Sequence, residues 1–360
     1  RVMHDPSTKL HNALYFMSGM MVVILALVIV AGVKTKAENA GFHIADDTEN
    51  SYEQQVAGQT DTTQDSGQEK WQEGVVAYQG KEYLYNTDIK TYLMMGVDID
   101  GPVQQSSDYT QGGQSDALFL LVVNNKTEQL QVISINRNTM ADIELCDEEG
   151  IDMGPLKTQI CLQHAFGDGK RLSCSKTVDA VSGLFQNIPI SGYLAMNMGG
   201  IPQMNDAVGG VEVTVQQDIS FPKAGVNLKK GQKVTLNGTQ AYYYLHGRDT
   251  EEYDSATKRL QREEQYIVAY MDKLKKVSTE NPDQVTEIYN SVSDYLVTSV
   301  DFTSMIEQLM NYGFSEDQMY TVPGKTVEGK PIDGKRYEEY HVDEDAMEEL
   351  IMKVFYTPVQ

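Results

Sequence analysis

The sequence is poor in cysteine, and this shortage argues against a metal-thiolate or disulfide-rich protein. Its 360 residues include three cysteines: Cys146, Cys161 and Cys174. They form no CxxC pair, and the chain has no HExxH motif, so it lacks the usual spacing of a zinc site. In an oxidising compartment two of them would pair and leave one thiol, but the sequence does not indicate which two.

Basic residues are also scarce. Lysine and arginine number 29 against 52 aspartates and glutamates, which gives a net charge of −23. Nucleic-acid binding depends on a basic surface, so this composition argues against nucleic acid as a partner. It also disfavours loose adhesion to an anionic polymer, so a site for an anion has to be a local pocket. The 41% of hydrophobic residues suffices for a core.

One long stretch, residues 13–33, contains no charge. At about 1.5 Å per residue a helix of this length spans about 31 Å, the thickness of the hydrocarbon core of a bilayer. The stretch is longer than the apolar centre of a signal peptide, so we expect a retained transmembrane anchor. The numbers of basic residues on its two sides are equal, so the positive-inside rule does not decide its orientation. The large acidic remainder favours a single-pass membrane protein with residues 1–12 in the cytoplasm and the C-terminal domain outside the cell.

Residues 34–73 are predicted to be an acidic extracellular linker, because most of them are polar or acidic and cannot bury enough apolar surface to fold alone. A short β-hairpin is predicted within residues 74–88, from GVVAY (74–78) and KEYLY (81–85) with a turn at Gln79-Gly80. Residues 89–360 are predicted to form the main domain.

The main domain begins with three predicted buried strands, at residues 91–97, 117–123 and 129–135. If they run up, down and up as neighbours, Asp98, Asp116 and Arg137 lie on one rim of one sheet. Carboxylates suit Mg²⁺, which takes one or two of them and completes its shell with water and substrate phosphate. The alternative is that both aspartates are ordinary turn residues at strand ends.

The rest of the pattern alternates between helices and strands, which predicts an α/β layer fold. Helices are predicted over residues 175–185, 199–210, 236–247, 255–277, 283–298, 302–313 and 343–354. Strands are predicted over residues 191–197, 211–215 and 319–323.

A cluster of arginines in residues 241–266 is unexpected in so acidic a chain. Arg248, Arg259 and Arg262 are candidates for gripping phosphate, because a guanidinium donates two parallel hydrogen bonds and keeps its charge. A helix that starts near Ser255 adds free N–H groups and the positive end of its dipole. The alternative is a surface helix laced with ion pairs.

Six motifs in this order resemble the LytR-CpsA-Psr proteins of bacterial envelopes. They are GVD (96–98), GQSDALFLLVVN (113–124), VISINRNTM (132–140), NDAVGGVEVTV (205–215), LNGTQAYYYLHGRD (236–249) and RLQREEQ (259–265). The resemblance covers about residues 88–276. It implies a three-layer α/β/α sandwich with a central mixed sheet and an apolar tunnel for a polyprenyl chain, preceded by one transmembrane helix.

The resemblance also implies a function and its residues. Family members are thought to move glycan polymers, such as teichoic acid or capsule, from a polyprenyl-pyrophosphate carrier to peptidoglycan. Asp98 and Asp116 match the family's Mg²⁺ aspartates, and Arg137 matches its pyrophosphate-binding arginine. Further matches to the head-group pocket are Arg248, Arg259 and Arg262. Asp254 stands near the position of an acidic residue that precedes the arginine pair, and we expect Asp254 or another, unidentified group to take the acceptor's proton.

Three departures bear on activity. His246 stands where the family often has arginine and is a weaker, pH-dependent phosphate partner. Asn138 replaces the usual aspartate. Glu263 replaces the usual glutamine, where it would repel pyrophosphate unless it is protonated or paired with Arg262. We therefore weigh an Mg²⁺-dependent phosphotransferase against a non-catalytic protein that binds polyprenyl phosphate or wall glycan, and against a pyrophosphatase that uses water as the acceptor.

Overall fold

The computed structural model describes residues 74–247, 255–281, 283–300, 312, 318–330 and 337–359. The predicted anchor (13–33) and linker (34–73) lie outside these residues. Within them, no helix is both long enough and apolar enough to cross a membrane.

The described residues form seventeen strands and six α-helices. The first strands are β1 (Val75–Tyr78), β2 (Lys81–Tyr85), β3 (Ile89–Val97), β4 (Ser115–Asn124), β5 (Gln129–Ile135), β6 (Met140–Cys146), β7 (Asp152–Gln159) and β8 (Gly192–Asn197). The later strands are β9 (Val211–Thr214), β10 (Ile219–Phe221), β11 (Val226–Leu228), β12 (Lys233–Leu236), β13 (Leu296–Thr298), β14 (Met319–Thr321), β15 (Gly324–Glu328), β16 (Glu338–Val342) and β17 (Tyr356–Pro358). The helices are α1 (Arg171–Leu184), α2 (Ile201–Ala207), α3 (Gly238–His246), α4 (Ser255–Glu280), α5 (Asp283–Val292) and α6 (Glu344–Phe355).

A six-stranded mixed sheet in the order β13-β8-β3-β4-β5-β14 forms the centre of the fold. The strands β3, β4 and β5 are antiparallel neighbours, which confirms the predicted up-down-up arrangement. The strands β8 and β14 join in parallel to β3 and β5, respectively. Both faces of β3 and β4 are buried, and this explains why their sequences are almost continuously apolar.

Two hydrophobic cores, one on each face of the sheet, make the fold three layers deep. Successive side chains of a strand point to opposite faces, so Met94 belongs to one core and Leu93 and Met95 to the other. Helices α2 to α5 cover the Met94 face, and α1 and α6 cover the opposite face. The predicted α/β fold with a mixed central sheet is confirmed.

The predicted N-terminal hairpin is present as β1 and β2, which pair in antiparallel fashion. Its turn residues Gln79 and Gly80 have φ values of 48° and 75°. Positive φ at both central positions is typical of a type I′ turn, whose twist matches that of the strands. The C-terminal strand β17 adds to β2, which the sequence did not predict.

The C-terminal region differs from the prediction in one helix. The helix predicted over residues 283–298 ends at Val292, and the chain then turns and forms the edge strand β13. Leu296, Val297 and Thr298 pair with β8, because the sheet edge offers unpaired backbone groups and β-branched residues suit a strand. The helix predicted at 302–313 lies outside the described residues except for Tyr312.

The hairpin β6–β7 is another feature that the sequence analysis missed. Strand β7 reads DMGPLKTQ and is exposed along most of its length. A strand with polar residues, glycine and proline lacks the alternation on which prediction depends. The other predicted elements are present, with ends shifted by a few residues. They are the helices α1, α2, α3, α4 and α6 and the strands β8, β9 and β14.

Candidate functional site

The carboxyl ends of β3, β5 and β8 and the amino end of β4 lie at one edge of the central sheet, as their pairing requires. Asp98 directly follows β3, Asp116 is the second residue of β4, and Arg137 comes shortly after β5. The sheet therefore brings these candidate residues to the same edge.

Asp116 lies at the centre of a buried group of ions. Its Oδ2 accepts a hydrogen bond from Nη1 of Arg259 at 2.7 Å, and its backbone carbonyl accepts one from Nη2 at 3.2 Å. Its Oδ1 lies 2.7 Å from Nε of Arg137, in an ion pair whose N–H is not directed at the oxygen. Asp116, Arg137 and Arg259 are 9%, 8% and 2% exposed, and we name these three residues the Asp116 cluster.

The burial of this cluster is inconsistent with the alternative of a solvated, ion-paired surface for Arg259. Helix α4 begins at Ser255, so Arg259 lies near its start and reaches across to β4. The acid and the base are 143 residues apart in the sequence. Charges that lose contact with water in this way need close partners of opposite charge. Here both arginines have the same partner, the carboxylate of Asp116.

Gln114, which the sequence analysis missed, connects Asp98 with Arg137. Its backbone N–H donates to Oδ1 of Asp98 at 2.5 Å, and its side-chain carbonyl accepts from Nη2 of Arg137. The Asp98 contact joins residues 16 positions apart, so this aspartate does more than form a local turn. The signal was a polar residue two positions before Asp116, at the start of a buried strand.

Burial, together with repulsion from Asp116, raises the pKa of Asp98. Asp116 is thus close enough for its carboxylate to disfavour ionisation of Asp98. A cation bound between them would relieve this repulsion.

Glu263 lies one helical turn after Arg259, and its Oε1 is 3.4 Å from Nε of that arginine. Burial raises the pKa of Glu263 to about 7, and although Arg259 lowers it, the negative charge of Asp116 raises it further. Near neutral pH this side chain is therefore protonated in a large fraction of molecules. Its ionic partner in the structure is Arg259, and the pairing with Arg262 that the sequence suggests stays a prediction.

Arg262 holds the end of α3. Its Nε donates to the carbonyl of Tyr244 at 2.6 Å, and Nη2 donates to the carbonyl of Gly247. The last carbonyls of a helix lack partners within it, and the guanidinium supplies donors to two carbonyls at this end. Arg262 is 1% exposed. Its predicted contact with pyrophosphate stays a prediction.

His246 is the last residue of α3 and is partly exposed. Its ring stacks on Tyr242 with centroids 5.2 Å apart, and Nδ1 lies 2.9 Å from the sulfur of Met198. Two further candidate residues, Arg248 and Asp254, lie outside the described residues.

Asp98 and Asp116 are the candidate Mg²⁺ ligands at this edge of the sheet. In the part of the chain that the structure describes, no group of three or more His, Cys, Asp and Glu side chains could hold a metal ion. Asp98 and Asp116 are two hard oxygen donors, and Mg²⁺ is commonly bound by one or two carboxylates with substrate phosphate and water. These two residues therefore fit a metal ion that is shared with a phosphorylated ligand.

A small cleft opens beside the Asp116 cluster, with a volume of about 10 Å³. This is room for about one water molecule. The cleft is lined by Asp116, Ala117, Leu118, Ile135, Asn136, Arg137, Arg259 and Glu263. It is too small for a polyprenyl chain, so the predicted lipid tunnel is not this cleft and stays a prediction.

The fold and the site together define an α/β protein with an edge of carboxylates and guanidiniums suited to phosphate groups. The sequence profile of the LytR_cpsA_psr family matches residues 45–354. Since this is more than half of the chain, the protein belongs to the LytR_cpsA_psr family, and the resemblance noted in the sequence is confirmed.

Curated relatives agree with this membership. The chain is 30% identical over 231 residues to the polyisoprenyl-teichoic acid–peptidoglycan teichoic acid transferase TagU of Enterococcus faecalis, an alignment that covers 64% of this chain and 67% of the relative. It is 28% identical to the TagU of Halalkalibacterium halodurans, over 61% of this chain and 64% of the relative. The alignments thus span about two thirds of these relatives.

Solved structures share the fold. B. subtilis TagV superposes with a TM-score of 0.55 at 22% identity, over 75% of this chain and 96% of TagV. Protein gbs0355 of Streptococcus agalactiae superposes with a TM-score of 0.55 at 21% identity, over 74% of this chain and 87% of the other.

Proposed function

We propose that this protein is a phosphotransferase that attaches a polyprenyl-pyrophosphate-linked glycan polymer to peptidoglycan. The observation that carries the proposal is the Asp116 cluster, where a residue of β4, a residue that follows β5 and a residue of the distant helix α4 meet at one edge of the sheet. The names of the TagU relatives supply the substrate class.

The charges at this edge argue for a divalent cation. With Glu263 protonated, Arg137 and Arg259 balance Asp98 and Asp116, so the edge is close to neutral. Mg²⁺ held by the two aspartates would make it strongly positive, and a pyrophosphate would then be bound with its charge neutralised. The magnesium cofactor is part of this proposal.

In the proposed mechanism, Arg137 and Arg259 turn from Asp116 towards the pyrophosphate and orient it. A hydroxyl of the acceptor sugar forms a bond to the glycan-proximal phosphorus, and the bond from this phosphorus to the oxygen of polyprenyl phosphate breaks. The acceptor's proton passes to a base, for which Asp254 is our candidate. Positioning and charge stabilisation supply most of the catalysis in such a reaction.

The proposal includes membrane attachment by residues 13–33 and an extracellular catalytic domain, supported by the length of the apolar stretch. Protease treatment of intact cells is expected to remove the domain. Protection of the domain from protease would contradict this topology.

An apolar tunnel for the polyprenyl chain is also proposed. The cleft beside the Asp116 cluster has room for about one water, so the proposed tunnel lies elsewhere in the fold. Mass spectrometry of lipid retained by the purified protein tests this directly. Polyprenyl phosphate is expected, and absence of any long-chain lipid after mild detergent extraction would count against the tunnel.

A second candidate is a binding protein without turnover. It is favoured by Glu263, whose buried carboxyl beside Arg259 weakens the pull of that arginine on phosphate whenever it ionises. The deciding experiment is transfer of a lipid-linked glycan by the purified full chain with Mg²⁺. We expect transfer by the parent and loss of transfer in Asp116→Ala. Retained lipid with no turnover of any kind would favour the binder, and release of phosphate to water alone would favour a pyrophosphatase.

A further inference from the structure

Aromatic side chains that the proposed phosphate chemistry does not use lie at the end of α3. Phe221 and Tyr243 stack with ring centroids 4.7 Å apart and planes tilted by 32°. Tyr242 meets Tyr243 edge-on at 5.2 Å. All three rings are partly exposed. We name Phe221, Tyr242 and Tyr243 the aromatic patch.

The backbone holds this patch in place. Asn237 and Gln240 form a reciprocal capping box at the start of α3, with hydrogen bonds of 2.9 and 3.0 Å. At the other end, Arg262 binds the carbonyl of Gly247, and a Cβ on Gly247 would come within 2.4 Å of the Phe221 ring. Because rings fixed in this way lose little freedom on binding a ligand, the patch is preorganised.

The patch adjoins the carboxylate side of the candidate site. The hydroxyl of Tyr242 donates to Oδ1 of Asp100 at 2.5 Å. Burial raises the pKa of Tyr242, and so do the nearby carboxylates of Asp100 and Asp98. The backbone of Asp100 packs closely against Gly199. A Cβ on residue 199 would lie 1.5 Å from the Asp100 carbonyl oxygen, so position 199 requires glycine.

These groups suit a neutral, hydroxyl-rich ring better than a phosphate. The carboxylate of Asp100 repels an anion, whereas it readily accepts hydrogen bonds from hydroxyl groups. The exposed side chain of Asp100 has a second oxygen besides the one that Tyr242 engages. A ring with an apolar C–H face can pack on the partly exposed tyrosines, which offer flat, polarisable surfaces with polar tips.

We infer that the aromatic patch and Asp100 bind a pyranose ring of the acceptor glycan, with Tyr243 against its C–H face and Asp100 accepting from a hydroxyl. This inference rests on the proposed function, because that function defines the acceptor. A pyranose at this place lies near Asp98, so an acceptor hydroxyl is delivered close to the phosphate-binding edge. The first sugars of the donor glycan have the same chemistry, and the test separates the two sources.

The test uses the full chain in detergent micelles with Mg²⁺, a lipid-linked glycan donor and a soluble peptidoglycan oligosaccharide as acceptor. Tyr243→Ala is expected to raise the acceptor KM about tenfold, equivalent to about 1.4 kcal/mol, and to leave the donor KM within about twofold. Asp100→Asn should raise the acceptor KM less. Tyr243→Phe keeps the ring and should keep the parent's KM values. Tyr83→Ala, in the distant N-terminal hairpin, is the matched control.

An acceptor KM that is unchanged in both Tyr243→Ala and Asp100→Asn overturns the inference. A rise confined to the donor KM overturns it as well, since the rings would then hold the donor. Circular dichroism identifies a variant that has lost its fold, and Asp100→Asn, which changes an exposed group only, then decides.

A binding measurement separates this inference from the proposed function. Isothermal titration of the parent with a phosphate-free peptidoglycan oligosaccharide requires no turnover. Binding that is lost in Tyr243→Ala supports the patch even if the protein transfers nothing. Transfer by the parent together with equal binding by parent and variant would leave the proposed function standing and refute the patch.

Discussion

The Asp116 cluster and the ion pair between β9 and β12 have nearly equal distances and very different surroundings. In the cluster, Asp116 lies 2.7 Å from Arg259, and the two side chains are 6% and 3% exposed. On the surface, Lys233 lies 2.8 Å from Glu212, and the two side chains are 69% and 56% exposed. The difference is therefore one of solvation and not of geometry.

Solvation decides what each pair can do. Water and salt screen the surface pair, and holding two long side chains together costs entropy, so such pairs contribute little. In the cluster the charges have already lost water, so removing one partner leaves the others stranded. The same property makes the cluster responsive to a ligand, because a new charge at that edge acts through a low local dielectric.

The largest effect is expected for Asp116→Asn, which leaves two buried arginines without their carboxylate. We expect the free energy of unfolding in urea to fall by about 3–5 kcal/mol. The paired control, Glu212→Gln, should change it by less than about 1 kcal/mol. Equal losses in the two variants would show that burial does not distinguish these ion pairs.

The next effect concerns Glu263, which resists ionisation. Its pKa is raised from 4.5 to about 7, so the folded state holds the proton more tightly than the unfolded state. The contribution of this carboxyl to the free energy of unfolding is fully present below about pH 4.5 and is lost as the pH rises through about 7. Glu263→Gln, neutral throughout, should match the parent near pH 4.5 and exceed it near pH 8 by up to about 3 kcal/mol.

Urea unfolding at several pH values between these limits measures this difference. Glu212→Gln again serves as the control, since its wild-type carboxylate is exposed and its removal should not alter the slope. A parent and a Glu263→Gln variant with parallel stability profiles would contradict the raised pKa.

A somewhat smaller effect is expected for Arg262→Met, which removes charged hydrogen bonds to Tyr244 and Gly247. Loss of these bonds should lower the free energy of unfolding by about 1.5–3 kcal/mol. Lys229→Met, which breaks an exposed pair with Asp218 at 3.0 Å, is the matched surface change. Thermal unfolding with circular dichroism compares the two.

The smallest effect is expected for Lys233→Met. The free energy of unfolding should fall by less than about 1 kcal/mol at low salt and by still less in 1 M salt, because ions screen exposed charges. The Asp116→Asn defect should persist in the same salt. If Lys233→Met lost as much unfolding free energy as Asp116→Asn, and the loss did not depend on salt, burial would not distinguish the two ion pairs.

Much of the sheet and its edge could be predicted from the sequence. The apolar runs of β3, β4 and β5 predicted neighbouring strands, and their ends placed Asp98, Asp116 and Arg137 together. The strand β13 was not predictable in this way, because it forms by pairing with the edge of β8 and carries no pattern of its own. Gln114 was also missed, since its role lies in contacts to Asp98 and Arg137 that no spacing reveals.

Six ordered motifs in the sequence were enough to indicate the family. Hydrophobic periodicity and turn residues predicted the α/β pattern, because they act over short distances. Contacts in the tertiary structure were needed to show that Arg259 shares Asp116 with Arg137, that Arg262 binds carbonyls at the end of α3, and that the hydroxyl of Tyr242 reaches Asp100. These outcomes depend on which distant segments are buried together. Burial sets both the strength of a charge and the direction of its pKa shift.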